Sequence, residues 1–270
     1  MQTPVVMGVL NVTPDSFSDG GRYTQRDSAL RQAEKMLAEG AQIIDVGAES
    51  TRPGATPVTV GEELDRLLPV IEAIAGNLDV ILSVDTSTAQ VISAAAKAGA
   101  GLINDVRALR REGALEAAAK TGLPICLMHM QGEPDVMQVA PSYEHVVVDV
   151  IAFLQQRVEA CLRAGISRER LLCDPGFGFG KSLAHNLNLL AQFDALKAME
   201  LPLLVGVSRK SMLGQVLNGA PVMARQVAGL SAMLLAVERG ARIVRTHDVA
   251  PTVEALMLWQ AQQHYRKDEV

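Results

Sequence analysis

Eight short runs of aliphatic and β-branched residues, at 5–12, 42–48, 80–86, 102–106, 124–130, 171–177, 201–208 and 242–248, alternate with segments of helical periodicity. The runs are nearly continuously apolar instead of alternating, as strands covered on both faces are, and Gly, Pro or Asp bounds them. A parallel sheet follows. Each strand-plus-helix unit occupies about 34 residues, and eight such units close a (β/α)8 barrel. With 49% hydrophobic and 20% charged positions among 270 residues, the chain can bury one sizeable core, and no linker or composition break divides it. The expected fold is α/β, a single-domain (β/α)8 TIM barrel over 1–270. An open doubly wound sheet is the alternative, but the GxGxxG turn it normally carries after the first strand is replaced here by NVTPDS.

Helix signals fill the intervals. Between Ser28 and Gly40, residues Leu30, Ala33, Met36 and Leu37 form one stripe, with Gly40 placed to cap the C-terminus. Thr59 with Glu62 makes a capping box for a helix whose inward residues are Leu64, Leu67, Leu68, Ile71 and Ile74, with a kink expected at Pro69. Ser87 with Gln90 repeats that signal for the third helix. Later helices are expected near 113–121, 143–165, 183–199, 222–239 and 249–264.

Composition excludes several classes of function. A formal net charge of −5 offers no basic face for nucleic-acid phosphates. The three cysteines (Cys126, Cys161 and Cys173) lie in apolar runs without a CxxC pair, as small core residues do in a reducing compartment. The N-terminus lacks a basic n-region, and no stretch reaches the roughly 18 apolar residues of a membrane span. A cytoplasmic enzyme is expected.

Catalytic groups of such a barrel sit at the C-terminal ends of the strands, where the βα loops build the mouth. Every apolar run here ends in polar residues: Asn11; Glu49, Ser50, Thr51 and Arg52; Asp85; Asn104 and Asp105; His129; Asp174; Ser208, Arg209 and Lys210; Arg245 and His247. A lone Asp or Asn after a strand is as often a helix cap or an Asx turn as a site residue, but eight polar ends together point to a site. Asp45 and Asp105 read as local hydrogen-bonding groups, His129 as a satisfied histidine at the rim, and His145, His185 and His264 as surface positions.

The run GFGFGKS at 176–182 looks like a Walker A loop but is one residue short of GxxxxGK[ST]. Its glycines read instead as letting the backbone pass close to a planar ligand beside Asp174. HExxH and GxSxG are absent, which argues against zinc and serine hydrolysis. Arg209, Lys210, Ser211, Arg245 and His247 collect at the ends of strands seven and eight, where barrels commonly hold phosphate, and SRKS opens a helix. An anionic substrate is expected.

The motifs NVTPDSFSDGG (11–21), IDVGAESTRPG (44–54), SVDT (83–86), IND (103–105), LMHMQG (127–132), DPGFGFGK (174–181), SRKS (208–211) and RTHDV (245–249) resemble those of dihydropteroate synthases, in order and over nearly the whole chain. The resemblance implies transfer of the 7,8-dihydropterin-6-ylmethyl group from 6-hydroxymethyl-7,8-dihydropterin pyrophosphate to p-aminobenzoate, with sulfonamides mimicking the second substrate. It implies that Asp174 and Asn104 read the amino-pyrimidine edge, Asp85 the other ring and Lys210 the carbonyl oxygen, with Phe179, Met128 and Val106 as walls. Buried acceptors of this kind complement the donor edge of a dihydropterin.

The catalytic set implied is Lys210, Arg245, His247, Arg52 and Asp19. Arg245 and His247 take the pyrophosphate, and Asn11 helps to hold Mg2+, which keeps waters and binds substrate phosphates. Loss of pyrophosphate leaves positive charge on an exocyclic methylene that the dihydropterin delocalises, so a dissociative, SN1-like step needs neither a covalent enzyme intermediate nor a general base. The first two βα loops are implied as lids: Asp15, Phe17 and Asp19 lie in one, and Ser50, Thr51, Arg52 and Pro53 in the other. Phe17, Thr51, Arg52 and Pro53 would shape the aminobenzoate pocket, and Ser211 would receive its carboxylate. A homodimer through late helices is also implied, with 227–237 as a candidate apolar run. Pterin-binding barrels that pass a methyl group to a corrinoid protein would share Asp85, Asn104 and Asp174 but have no need of SRKS, RTH and the lid motifs.

Overall fold

The computed structural model describes residues 3–12, 22–49, 58–132, 137 and 140–265. All eight strands form: β1 (Val5–Asn11), β2 (Ile43–Gly47), β3 (Ile81–Asp85), β4 (Leu102–Asp105), β5 (Ile125–Met128), β6 (Leu171–Asp174), β7 (Leu204–Val205) and β8 (Ile243–Thr246). Each is shorter than its apolar run. They make one sheet in the order β6-β5-β4-β3-β2-β1-β8-β7, with every pairing parallel. A parallel bridge between Cys173 and Leu203 brings the two edges together, with the Cys173 N–H donating to the Pro202 carbonyl at 3.0 Å. That closes the barrel. β7 is the shortest strand, and Pro202 before it has no N–H to give to a ladder.

Nine helices among the described residues coat the outside: α1 (Arg22–Ala38), α2 (Val60–Asn77), α3 (Ala89–Ala98), α4 (Ala114–Thr121), α5 (Val146–Arg163), α6 (Leu183–Ala191), α7 (Ser211–Val216), α8 (Gln226–Glu238) and α9 (Val249–Tyr265). The Thr59–Glu62 box has both halves, and α2 continues through Pro69. Gly40 takes φ +100° just after α1, and the next N–H, of Ala41, reaches back to the Met36 carbonyl. Four expectations change. The helix expected over 222–239 opens with a 3-10 segment, Val222–Arg225, before α8. α1 starts at Arg22 instead of Ser28. The helix expected over 183–199 divides into α6 and a 3-10 segment, Phe193–Met199. Ser87 does not cap α3: Thr88 holds that position, and the Ser87 hydroxyl is given to the carboxyl of Asp105.

Side chains along a strand alternate between the barrel interior and the helix layer. Ile44, Leu67, Ile71, Ile103, Ile125, Phe177 and Phe193 belong to the outer core and are essentially inaccessible. Each contributes about 1.5–3 kcal/mol to holding the helical coat on the sheet. Inside the barrel, Met7, Ile43, Leu102, Cys126, Leu172 and Leu204 pack as one apolar layer. Two residues further along five of these strands, the same inward row reads Asp45, Asn104, Met128, Asp174 and Gly206, and Arg245 follows Ile243 in the same way on β8. The interior thus changes from apolar to polar towards the C-terminal ends of the strands, and this change sets the position of the site.

Candidate active site

Arg245 crosses the mouth from β8. Its Nε donates to Asp45 Oδ2 at 2.6 Å and its Nη2 to Asp85 Oδ2 at 3.0 Å. Asn104 Nδ2 donates to the same Asp45 Oδ2 at 3.1 Å, and Ser83 Oγ donates to Asp45 Oδ1 at 2.6 Å. Asn104 and Arg245, both singled out as site residues from the sequence, are therefore joined through Asp45, and Arg245 carries the link on to Asp85. Reading Asp45 as a local hydrogen-bonding group is corrected here: it is fully buried inside the barrel and binds side chains from β3, β4 and β8.

Asp174 closes the ring from β6. It is buried, and its Oδ1 accepts the Gly176 N–H at 2.7 Å. Gly206 lies between it and Arg245: a Cβ built there would stand 3.7 Å from Arg245 Cβ and 4.0 Å from Asp174 Oδ2. The missing side chain keeps the mouth open between β6 and β8. Beside them, Lys210 Nζ sits 4.0 Å from the centroid of the Phe179 ring. Phe179 packs with Val106, Met128, Met130 and Met137 in an apolar cluster of its own, separate from the main core. The expected walls Val106, Met128 and Phe179 thus fall in one cluster. Asn11 ends β1 half-buried, in register with Gly47, and Ser211 begins the short α7 and is exposed. Asp15, Phe17, Asp19, Ser50, Thr51, Arg52 and Pro53 lie outside the described residues.

The electrostatics follow from crowding charges where little water enters. Burial, and then the negative charge of Asp45, push Asp85 up to about 7 in spite of Arg245. Burial raises Asp174 as well, against the Gly176 N–H and Lys210. Burial, with Arg245 beside it, brings Lys210 down to about 8. Burial also opposes the Arg245 cation, but Asp45 and Asp85 outweigh it and hold the charge in place. His247 is brought down to about 4 by burial and by Arg245, Arg209 and Lys210, so its ring is neutral near pH 7. Ser208 Oγ is 3.2 Å from both the backbone N and Nδ1 of His247. A hydroxyl that accepts the backbone N–H can give its own proton to Nδ1, and in that tautomer Nε2 carries the ring proton.

Arg209, expected among the mouth cations, instead makes a two-point pair with Asp248, at 2.6 and 3.2 Å. The Walker-like run is also built for another purpose. Lys181 is buried, and its Nζ is 2.8 Å from both His129 Nδ1 and the Gly176 carbonyl and 3.2 Å from the Phe179 carbonyl. Ser182 caps α6 in a box with His185. A Cβ on Gly176 would fall 1.9 Å from the His129 oxygen, and one on Gly180 would fall 2.4 Å from the Gln131 oxygen. These glycines admit the backbone of the β5 loop, which corrects the expectation that a ligand is what they accommodate. His129 is the satisfied rim histidine expected, and Asp105 is the local acceptor expected, taking the Arg107 and Leu109 N–H groups at 2.7 and 2.8 Å.

Behind β3 lies a polar group that the sequence did not reveal. Buried Glu63 accepts from Thr86 Oγ1 at 2.5 Å and Thr88 Oγ1 at 2.9 Å, while Arg107 Nη1 pairs with Glu49 at 3.4 Å. Among the described residues no three His, Cys, Asp or Glu side chains are grouped to hold a metal ion, and no helix is long and apolar enough to cross a membrane.

Fold and site define a (β/α)8-barrel enzyme whose mouth offers carboxyl and carboxamide acceptors beside fixed cations. The profile of the pterin binding enzyme family matches residues 7–247. Dihydropteroate synthase of Escherichia coli (strain K12) is 54% identical over 258 residues, covering 96% of this chain and 91% of that one. The crystal structure of Yersinia pestis dihydropteroate synthase with a sulfonamide drug complex superposes with a TM-score of 0.92 at 56% identity, covering 97% of this chain and 95% of that one. The structure of the Xanthomonas albilineans enzyme in complex with 7,8-dihydropteroate gives a TM-score of 0.88 at 47% identity, covering 97% and 94%. The chain belongs to the dihydropteroate synthase family of pterin binding enzymes.

Proposed function

We propose that this protein is a dihydropteroate synthase, joining 6-hydroxymethyl-7,8-dihydropterin pyrophosphate to p-aminobenzoate with release of pyrophosphate. The observation that carries the reading is the ring of Asp85, Asn104 and Asp174 around one barrel mouth, with Lys210 and Arg245 set among them. The carboxyl groups and the amide accept from the N–H edge of the pterin, and Lys210 donates to its carbonyl oxygen. Val106, Met128 and Phe179 bound the flat faces of the ring. A donor-rich heterocycle satisfies these buried acceptors, and an apolar one would leave them unpaired.

In the transfer, the C–O bond from the exocyclic methylene to the pyrophosphate breaks first, and its electron pair leaves with the phosphate. The dihydropterin ring delocalises the resulting charge. The arylamine nitrogen of p-aminobenzoate then forms the C–N bond and loses a proton to water. His247 Nε2–H serves as a neutral donor to the leaving group, and Arg245 uses Nη1, since Nε and Nη2 are taken by Asp45 and Asp85. Asn11, a neutral hard-oxygen donor at the end of β1, would help to hold magnesium, which takes its other ligands from water and phosphate oxygens, and the ion would supply charge neutralisation on the leaving group. By family resemblance Asp19 and Arg52 belong to the catalytic set, and Phe17, Thr51, Arg52, Pro53 and Ser211 to the aminobenzoate pocket; of these, Ser211 lies within the described residues.

The protein is cytoplasmic in this reading, and three free buried cysteines agree with reducing surroundings. It dimerises through its late helices, where Met223 just before α8, Val227 on α8 and Leu258 on α9 are each more than 70% exposed. Purified protein with magnesium and both substrates is expected to release pyrophosphate and form a product that a sulfonamide suppresses competitively against p-aminobenzoate. Absence of turnover with both substrates present overturns the assignment.

A further inference from the structure

We propose that Asp45 is a positioning residue of the transfer reaction, holding Arg245 and Asn104 from the middle of β2 in the orientations that the bound pterin pyrophosphate needs. The inference rests on the synthase reading above. Asp45 is fully buried, and both of its carboxyl oxygens are engaged: Oδ1 by Ser83 Oγ, and Oδ2 by Asn104 Nδ2 and Arg245 Nε. The donors come from β3, β4 and β8, so one side chain ties three strands together at the base of the mouth.

The edge of Asn104 that faces Asp45 is the NH2 edge, with Nδ2 donating to Oδ2 at 3.1 Å. That turns Asn104 Oδ1 away from Asp45 and makes it the acceptor offered to a ligand. Arg245 is fixed in the same way. A planar guanidinium gripped at Nε by Asp45 and at Nη2 by Asp85 has its plane and its third nitrogen set before substrate arrives.

Stability does not account for this residue. The next inward position down β2 is Ile43, part of a wholly apolar layer, and an apolar side chain at 45 would extend that layer without burying a charge. The residue also acts on Asp85. The charged groups around Asp85 are Asp45 on β2, Glu49 after it, Asp105 on β4, Arg245 on β8 and Lys210 after β7. Of these, Asp45 is the like charge that raises Asp85 most, and it also takes a share of Arg245. Neutralising Asp45 removes that repulsion and frees Arg245 for Asp85, and both changes lower the pH at which Asp85 loses its proton.

The test is Asp45→Asn, which keeps the shape and removes the charge. Thermal unfolding shows whether the variant is folded, and initial rates are taken with dihydropterin pyrophosphate and p-aminobenzoate. We expect kcat/KM for the pterin substrate to fall about 100-fold, with KM for p-aminobenzoate within about twofold of wild type. The acid limb of the pH profile, and the Asp85 carboxyl titration followed by carbon-13 NMR, should each move roughly one pH unit lower. A folded variant with wild-type kcat/KM, acid limb and Asp85 titration overturns the proposal. Should Asp45→Asn not fold, Ser83→Ala loosens the same carboxyl group and keeps its charge. About a threefold loss in pterin kcat/KM alone is then expected, and unchanged kinetics overturn the proposal. An inactive wild type whose Asp85 titration still moves on substitution overturns the synthase reading instead, and leaves the link between Asp45, Arg245 and Asp85 standing.

Discussion

Arg245 Nη2 lies 3.0 Å from Asp85 Oδ2, so the last strand is tied to the third across the barrel mouth. The side chains are about a fifth exposed, open on one side to the space a ligand would fill. A cation here holds two carboxyl groups together, and in the proposed transfer it keeps one nitrogen for the leaving group.

Removing that cation should therefore cost both stability and rate. In Arg245→Ala, Asp45 and Asp85 are left facing each other without compensation, and breaking a largely buried pair from one side costs about 3 kcal/mol. Urea unfolding should show a loss of that size. Turnover, followed by pyrophosphate release, should fall by about 100-fold or more as the leaving group loses a donor. Wild-type turnover in a folded Arg245→Ala protein would remove Arg245 from the mechanism.

Asp174→Asn keeps the volume of a buried side chain and exchanges an acceptor for a donor. Oδ1 already takes the Gly176 N–H, so the amide oxygen stays with the backbone and the new NH2 turns to the mouth. There it meets the N–H edge of the pterin, donor against donor. Dihydropterin pyrophosphate should bind about 100-fold more weakly, equivalent to about 2.7 kcal/mol. Titration calorimetry measures this directly, and unchanged affinity would place the pterin elsewhere.

How far the sequence carried these residues depends on the periodicity used to read it. Apolar runs separated by helical stripes located all eight strands, and the barrel rule then led to Asp85, Asn104, Asp174 and Arg245 at their ends. Asp45 was missed because it lies in mid-strand. Period-two counting from Ile43 reaches it, since both face inward, but a single Asp within IIDVG gives no sign of partners on β3, β4 and β8. Arg209 carried the opposite error. It looks like a phosphate cation in one dimension, and only tertiary contacts show it spent on Asp248. The contacts also show what Lys181 of the rejected Walker-like run does, which is to bind two carbonyls and His129. The Glu63 hydroxyl contacts, between α2 and the residues after β3, are likewise invisible to local patterning.

The pH dependence of kcat/KM for the pterin substrate reports groups of the free enzyme. Ionised Asp85 accepts at both oxygens, whereas its protonated form turns one of them into a donor against the N–H edge of the pterin, so binding strengthens as pH rises through about 7. Lys210 donates as a cation, so binding weakens as pH rises through about 8. The product is a narrow bell with its maximum between the two values. His247, at about 4, contributes no limb near neutrality. In Lys210→Gln the alkaline limb should vanish and the acid limb should remain, and an alkaline limb that survives would assign it to another group.

The glycines of the β6 loop provide a test of packing with its own control. Gly176 and Gly122 both sit in the left-handed region, at φ +69° and +74°. Alanine pays a similar conformational penalty at each, about 1–2 kcal/mol. They differ in what surrounds them. Nothing lies within 4 Å of a Cβ at Gly122, whereas one at Gly176 would meet the His129 carbonyl oxygen at 1.9 Å. That oxygen belongs to backbone, so the loop must move as a unit. Its movement pulls Asp174 away from the Gly176 N–H and Lys181 away from the Gly176 carbonyl. Gly122→Ala should lower stability by about 1 kcal/mol and leave turnover unchanged. Gly176→Ala should lose about 3 kcal/mol or more and should also weaken pterin binding, because Asp174 is displaced with the loop. Equal losses in the two variants, measured by urea unfolding, would show that backbone conformation alone selects glycine at 176.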